Sequence, residues 1–202
     1  MRGVWTEAVL VGVPEFLGAE SGFTKISITH RQYFTLIPDD LSFAYRLGWQ
    51  QTLLGHVPFY YQSQIVTSVM SGASSTGLGG ARSLRGVKRN RIVGDGMVFG
   101  NFEMRWKPFY FNLFNQAFYL GVNSFLDVGQ ITALIDVESR LPQLNEELTD
   151  YFRFGSEDWH MSYGLGVRVA MNRNFILAVD YGRAVDNQDG SSGVYVGLNY
   201  LF

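Results

Sequence analysis

The sequence contains no cysteine, which excludes disulfide bonds and thiolate metal sites. It is also poor in charge, because Asp, Glu, Lys and Arg make up 17% of the chain, against roughly 25% in typical soluble domains. The formal net charge of −2 leaves no overall field that would attract nucleic acid or an anionic membrane surface. No apolar run approaches the ~18 residues that a membrane-spanning helix needs. A helical membrane protein is therefore excluded, and no nucleic-acid partner is expected.

Hydrophobic residues nevertheless reach 47%, aromatic residues reach 15%, and the 202 residues include 23 glycines. This composition suits an all-β protein, including a membrane β-barrel, whose strands are apolar on one face only. Residues 1–12 alternate as a strand does, and Glu7 interrupts what would be the apolar core of a signal peptide. An exported form would therefore have lost its leader or be part of a longer chain.

Alternation of apolar and polar residues with a period of two predicts eight strands. They lie near residues 2–12, 23–36, 40–52, 96–107, 114–129, 158–171, 174–184 and 192–202. The last four are the clearest. In the final strand, the apolar face runs from Val194 through Tyr200 to Phe202. In the strand at 158–171, Trp159 and Val169 begin and end the apolar face.

Two folds fit such strands: a soluble sandwich with the apolar face inward, and a membrane barrel with the apolar face toward lipid. Three details favour the barrel. The polar faces are mostly small residues with isolated charges, namely Arg46, Glu103, Arg105, Asp127, Arg168 and Asp180. Aromatic residues lie near strand ends, as interfacial girdles do, namely Trp49, Trp106, Trp159, Tyr181 and Tyr200. The strands exceed the ~5–6 residues usual in soluble sheets and are long enough to cross a bilayer.

The predicted connections alternate between short and long, which is the pattern of outer-membrane barrels. Short turns are expected at 37–40, 107–112 and 171–174. Longer loops are expected at 13–22, 53–95, 130–157 and 184–191. Both termini then fall on the rim with the short turns, which is normally periplasmic. A short helix is predicted within the third loop, at 137–155.

One connection is unusual, because residues 79–96 hold five cations and five glycines but a single acid. The phosphate-loop pattern G-x-x-x-x-G-K-[ST] is absent from it. The polar stretch 186–190 lacks the later Glu of a calcium loop, and His30, His56 and His160 are not clustered as zinc ligands are. We therefore expect no metal and no cofactor.

An acid pair, Glu103 and Asp127, could in principle perform acid–base chemistry. With an inward cation as partner, a structural ion network is the better interpretation. No nucleophile with a base in sequence reach is found, and the protein is not expected to be an enzyme.

Four segments resemble the superfamily of outer-membrane assembly and translocation barrels that includes BamA and TamA. Leu84-Arg85-Gly86-Val87 is similar to the tip motif of that family's sixth extracellular loop. Residues 100–106 (GNFEMRW) and 125–129 (FLDVG) are similar to the two strands that follow this loop. The aromatic end of 193–202, with Tyr200 and Phe202, is similar to the C-terminal barrel signal, which most outer-membrane barrels share. The motif loop of this chain accordingly comprises Gly79, Gly80, Leu84, Gly86 and Val87.

The resemblance implies a sixteen-stranded antiparallel transmembrane β-barrel, of which these eight strands match strands nine to sixteen in a single domain over 1–202. It implies that loop 53–95 folds into the lumen and that Arg85 pairs there with Glu103 and Asp127. The first eight strands, the periplasmic POTRA domains and an aromatic at position 87 have no counterpart here. A closed eight-stranded barrel has a lumen just wide enough for its own side chains, so we expect these strands not to close alone around their loop.

The resemblance also implies a function: insertion or translocation of client outer-membrane proteins through a lateral seam, without catalysis, in the outer membrane of a Gram-negative bacterium. The expected partners are the lipid bilayer, client proteins, and a missing N-terminal barrel half or a second copy. The last strand, 192–202, would form one side of the seam. The alternatives are a small structural or passive-pore barrel, and a soluble β-sandwich that binds a partner.

Overall fold

A computed structural model describes residues 2–68, 73–135, 157–172 and 175–202, and side chains outside 66–76. Eight long strands dominate it, and two short strands and two single helical turns lie in the connections. The strands are β1 (Gly3–Val13), β2 (Phe23–Ile37), β3 (Leu41–Gly55), β4 (Gln64–Ser68), β5 (Ala73–Thr76), β6 (Gly96–Leu113), β7 (Gln116–Ala133), β8 (His160–Met171), β9 (Phe175–Ala184) and β10 (Ser192–Leu198). The helical turns are the 3-10 turn Glu15–Leu17 and α1 (Phe59–Gln62).

The eight long strands form one antiparallel sheet in the order β1-β2-β3-β6-β7-β8-β9-β10. Each strand pairs with its neighbour along the chain, except that β3 pairs with β6 across the long basic connection. Strands β4 and β5 form a separate two-stranded sheet within that connection. In the described ranges, β1 and β10 are the two ends of the sheet order and no ladder joins them.

The two faces of the sheet are reversed relative to a soluble protein, because the polar face is the buried one. The buried polar side chains include Lys25, Ser27, Thr29, Arg46, Gln50, Asn101, Glu103, Arg105, Asn123, Asp127, Ser162, Arg168 and Asp180. The exposed apolar side chains include Leu47, Trp49, Met104, Trp106, Met161, Tyr163, Leu165, Val167, Phe175, Leu177, Val179, Tyr181, Val194, Val196 and Leu198. The eight long strands form a single sheet with a buried polar face, so the β-sandwich architecture of the alternative prediction is wrong.

The turn predicted at 107–112 is wrong, because β6 continues through this segment to Leu113. The ladder between β6 and β7 shifts register between Trp106 and Phe109, so Pro108 lies in an irregularity where its missing N–H is tolerated. The actual turn is Phe114-Asn115, and both residues have positive φ, 49° and 60°. Proline is a turn signal in the sequence, but here it marks a bulge inside a long strand.

The final strand is shorter than the predicted 192–202, because β10 ends at Leu198. Asn199 has a φ of 67°, which redirects the chain. Tyr200 and Phe202 then stack against Arg105 on the buried polar face, so their predicted position on the outward apolar face is wrong.

The remaining boundaries differ by a few residues. Strands β3 and β7 run to Gly55 and Ala133, so the loops after them begin later than predicted. The helix predicted at 137–155 and the end of the turn predicted at 171–174 lie outside the described residues. None of the helices in the described ranges has the length and apolar character to span a membrane.

Candidate functional site

The connection between β3 and β6 carries its own small apolar core, which fixes the basic loop against the sheet. Leu78 and Ile92 form an isolated bridge that closes the loop at its base. Leu84 and Val87 at the tip are 0% and 1% exposed. They join a buried cluster that also contains Ile65, Leu78, Ile92, Met97, Phe99, Ile131 and Ala184. Burial of these side chains places the motif loop on the polar face of the sheet.

Arg85, between Leu84 and Gly86, is 1% exposed and is held by three carboxylates. Its Nε and Nη2 donate to Asp127 Oδ2 and Oδ1 at 2.9 and 3.0 Å. Its Nη1 donates to Glu103 Oε1 at 2.7 Å and to Asp180 Oδ2 at 3.3 Å. The backbone N–H of Arg85 also donates to Asp127 Oδ2 at 3.0 Å, and the Phe125 ring centroid lies 3.5 Å from the guanidinium carbon. We call Arg85, Glu103, Asp127 and Asp180 the arginine clamp.

Each carboxylate of the clamp accepts a hydrogen bond from at least one side chain other than Arg85. Glu103 accepts from Arg105 Nε at 2.8 Å. Asp180 accepts from Arg168 Nη1 and Nη2 at 2.8 and 2.9 Å. Asp127 accepts from Asn101 Nδ2 at 2.8 Å. Shared partners stabilise a buried charge network, because an isolated ion in this environment would carry a large desolvation cost.

Asn101 connects the clamp to the loop backbone and to another arginine. Its amide nitrogen donates to the carbonyl of Ser83 as well as to the clamp, and its Oδ1 accepts from Arg46 Nε and Nη2 at 2.9 and 2.7 Å. Arg46 also donates to the carbonyl of Arg82 at 2.7 Å. The loop is therefore held through its main chain on both sides of Arg85.

Burial alone would lower the pKa of Arg85, because it disfavours the charged guanidinium. The carboxylates of Asp127, Glu103 and Asp180 outweigh this effect and raise the pKa of Arg85 above its usual value. An arginine guanidinium is charged throughout the ordinary pH range, and these carboxylates reinforce that state. Arginine suits this position better than lysine, since its planar fork reaches several acceptors at once.

Two glycines allow the loop to touch the sheet wall. Gly86 has a φ of 99°, and a Cβ at this position would lie 2.7 Å from backbone atoms of Arg183. A Cβ on Gly182 would lie 2.7 Å from the carbonyl carbon and oxygen of Arg85. The N–H of Gly86 donates to the hydroxyl of Tyr195 on β10 at 2.8 Å. The remaining motif glycines, Gly79 and Gly80, also have positive φ, 126° and 86°.

Below the clamp, the end of the chain packs into the interior. The guanidinium carbon of Arg105 lies 4.2 Å from the Tyr200 ring centroid and 5.0 Å from that of Phe202. Arg105 Nη2 donates to the backbone oxygen of Phe202 at 3.0 Å, and the Tyr33 and Phe202 rings are 6.3 Å apart. We call Tyr33, Tyr200 and Phe202 the aromatic floor. The apolar loop core, the charged clamp and this floor are three successive layers along the polar face.

A family model described as the Omp85 superfamily domain matches residues 6–202. The chain belongs to the Omp85 superfamily. No curated protein matches the chain, and no solved structure does. This membership confirms the resemblance to the BamA and TamA type of barrel. Omp85 superfamily proteins are outer-membrane proteins of insertion and translocation systems, and they are generally not catalysts.

In this Omp85 chain, the structure places the Arg85 guanidinium 2.7 Å from Glu103 and 2.9 Å from Asp127. Asp180 is the partner that sequence reasoning missed, although parity places it on the same polar face. Parity could have suggested it, because an inward charge needs a partner. The sequence carries no local signal for a contact between residues as far apart as Arg85 and Asp180. Among the described residues, no group of three or more His, Asp or Glu side chains is arranged so that it could hold a metal ion.

Proposed function

We propose that this Omp85 chain is the C-terminal half of an outer-membrane barrel that inserts or translocates client outer-membrane proteins without catalysis. The observation that carries the proposal is the arginine clamp on the buried face of a sheet whose outward face is apolar. Such a sheet is suited to lipid outside and to a polar, loop-filled lumen inside. In this proposal loop 53–95 is the luminal loop, and loop 130–157 is an extracellular loop of the same single domain, residues 1–202.

The size of the lumen supports a larger barrel. Eight strands close around a space that their own side chains fill. Here the polar face also carries the motif loop, whose Leu84 and Arg85 are 0% and 1% exposed. We therefore assign the long strands to positions nine to sixteen of a sixteen-stranded barrel. The strands that complete it belong to a missing N-terminal half or to a second copy.

The seam of the proposed barrel lies at β10. An unpaired strand edge presents N–H and C=O groups that can accept a client strand by β-augmentation. Such an edge within lipid has no water to satisfy those groups, which favours pairing with any suitable strand. The inward turn at Asn199 removes the last residues of the chain from the edge and shortens the seam. The energy for insertion comes from folding of the client into the bilayer.

The contacts within the clamp argue against an enzymatic role for Glu103 and Asp127. Both carboxylates accept hydrogen bonds from Arg85 and from one further side chain. A general acid or base requires a group that can exchange a proton with substrate, and these carboxylates are enclosed by cations and donors.

The alternative function is a passive pore, and a filled interior disfavours it. The loop core, the clamp and the aromatic floor occupy successive levels of the polar face. Purified protein in planar bilayers is therefore expected to show low conductance, and a stable open conductance from the unmodified chain would favour the pore.

The experiment that tests the proposal compares Arg85→Ala with Lys88→Ala. Both changes remove one cation from the same loop, but Lys88 is exposed. Removing one partner from a buried ion pair costs about 3–5 kcal/mol. Arg85→Ala should lower the yield of heat-modifiable folded barrel on semi-native gels, and should slow client folding in proteoliposomes. The Lys88→Ala variant should match the unmodified protein in both measurements.

Two results would contradict the proposal in different ways. An unchanged heat-shift of the barrel in Arg85→Ala would show that the clamp does not hold the fold. Unmodified protein that folds in liposomes without accelerating any client would remove the insertion activity and leave the clamp as a purely structural feature.

A further inference from the structure

A second set of contacts holds the motif loop at the opposite end of the sheet from the aromatic floor. His160 begins β8, and its ring lies between two carboxylates. Nδ1 is 2.7 Å from Asp189 Oδ2, and Nε2 is 3.0 Å from Glu157 Oε1. The His160 side chain is 15% exposed and that of Asp189 is 4% exposed, so water reaches this pair poorly.

The geometry favours the protonated ring. An ionised carboxylate only accepts hydrogen bonds, and a neutral imidazole donates from one nitrogen only. A neutral His160 could satisfy one of the two carboxylates and would turn a lone pair toward the other. An imidazolium donates to both at the observed distances. The arrangement is therefore complete only when the ring carries a proton, or when one of the acids does.

Asp189, whose side chain contacts His160, also contacts the motif loop through its backbone. The connection 185–191 between β9 and β10 lies against the loop tip, where the carbonyl of Asp189 accepts from the N–H of Lys88 at 2.8 Å. The next residue, Gly190, is so close that a Cβ there would lie 2.6 Å from the carbonyl oxygen of Gly86. Arg91 Nε donates to the carbonyl of Gln188 at 3.2 Å. Residues 86–91 of the motif loop are therefore in direct contact with the backbone on both sides of the Asp189 side chain.

Other charged groups lie on the segments that adjoin the pair. The segment before β8 contributes Asp158 beside Glu157, and the connection 185–191 contributes Asp186, whose carboxylate accepts from the N–H of Gln188 at 2.8 Å. The motif loop contributes exposed cations, namely Lys88, Arg89 and Arg91. From β7 the neutral Gln130 donates to the carbonyl of Glu157 at 2.6 Å. Glu157 and Asp189 contact the ring directly, whereas Lys88 and Arg91 contact connection 185–191 through its backbone carbonyls.

We propose that His160 and Asp189 are positioning residues that hold the motif loop on the barrel wall, more tightly when the imidazole is protonated. The inference rests on the proposed function for its importance, since the motif loop is the part of the barrel that the clamp orders. The latch is complete when the ring donates from both nitrogens, and loss of the ring proton leaves one of the two carboxylates without a donor.

The absence of native cysteine allows a direct measurement of loop opening. A thiol introduced by Val87→Cys replaces a side chain that is 1% exposed, so a maleimide labels it only when the loop opens. Ala81→Cys, at an exposed position of the same loop, gives the reference rate at each pH and removes the effect of thiolate formation. The measured quantity is the ratio of the two labelling rates in full-length protein in detergent micelles.

With His160 present, this ratio should rise roughly fivefold between pH 5.5 and pH 8, a change of the size expected for one partly exposed ion pair. His160→Gln should abolish the pH dependence, and Asp189→Asn should raise the ratio at pH 5.5 to the value seen at pH 8. His30→Gln is the matched control, because His30 lies on β2 and contacts Thr6 and Tyr45 instead. It should leave the pH dependence unchanged.

A ratio that does not change with pH in the unmodified background would overturn the proposal. So would a pH dependence that survives His160→Gln or disappears in His30→Gln. If His160→Gln fails to fold, Asp189→Asn decides the question alone, and an unaltered ratio in that variant at pH 5.5 counts against the latch. None of these measurements uses a client protein, so failure of the insertion activity would not be mistaken for failure of the latch.

Discussion

The Gly182→Ala substitution tests how closely the motif loop packs against the sheet, because it changes this packing without changing any charge of the loop. Gly182 lies on β9, and a Cβ added there would lie 2.7 Å from both the carbonyl carbon and oxygen of Arg85. Ordinary contacts between such atoms begin near 3.4 Å. The added methyl group must therefore push the loop backbone away from the wall by about 0.7 Å, since a packed interior cannot absorb it. The substitution removes none of the charges of the clamp.

The expected cost follows from the hydrogen bonds of Arg85, which are 2.7 to 3.0 Å long to Glu103 and Asp127. A shift of this size moves them toward ~3.5 Å, where a hydrogen bond is largely lost. Overpacking of a core typically costs about 1–3 kcal/mol, and weakened buried ion pairs add to it. Alanine in a strand regains roughly 0.5–1 kcal/mol relative to glycine. We expect a net loss of about 2–3 kcal/mol in the free energy of unfolding.

The assay is denaturant unfolding in detergent micelles, followed by tryptophan fluorescence and by the heat-shift on semi-native gels. The matched control is Gly197→Ala on β10, where a Cβ would meet nothing within 4 Å. It should be neutral or slightly stabilising. If the two variants unfold at the same denaturant concentration, the loop does not depend on close contact with the wall, and the clamp is not held in place by packing against β9.

Two further substitutions test other contacts of the loop. Tyr195→Phe removes the acceptor of the Gly86 N–H, which is 2.8 Å away, and should cost about 1 kcal/mol in the same unfolding assay. An unchanged midpoint would mean that water replaces the hydroxyl. Leu84→Ala opens a cavity in the loop core and should cost about 2–5 kcal/mol. Leu47→Ala, on the outward face and 42% exposed, should cost much less, and equal losses would contradict the assignment of the core to the loop side of the sheet.

The strand pattern of this chain was predictable because its faces differ so strongly in polarity. Parity placed Glu103 and Asp127 on the same side as Arg46, and the ladders put all three on the buried face. The turn near Pro108 was not predictable, because a bulge and a turn share the same local signal. Strand length there is decided by pairing with β7, which is a long-range property.

The candidate site was predictable only in part, because long-range pairing also decides which side chains meet. Arg85 could be matched with two acids because the resemblance specified the loop and parity specified the face. The third acid, Asp180, is separated from Arg85 by 95 positions and meets it only when β9 packs beside the loop. His160 begins β8 and Asp189 lies in the connection between β9 and β10, and alternation says nothing about where a connection meets a strand end.

Val87 shows which property of the motif loop the fold requires. The resemblance includes an aromatic at this position, and valine departs from it. In the structure, Val87 is 1% exposed and packs with Leu84 and Ile92 in the loop core. A β-branched side chain fills this space with little loss of rotamer freedom. Position 87 contributes a buried apolar side chain, so valine in place of an aromatic leaves the contacts of Arg85 intact. The aromatic contact to the Arg85 guanidinium comes instead from β7, where the Phe125 ring centroid lies 3.5 Å away.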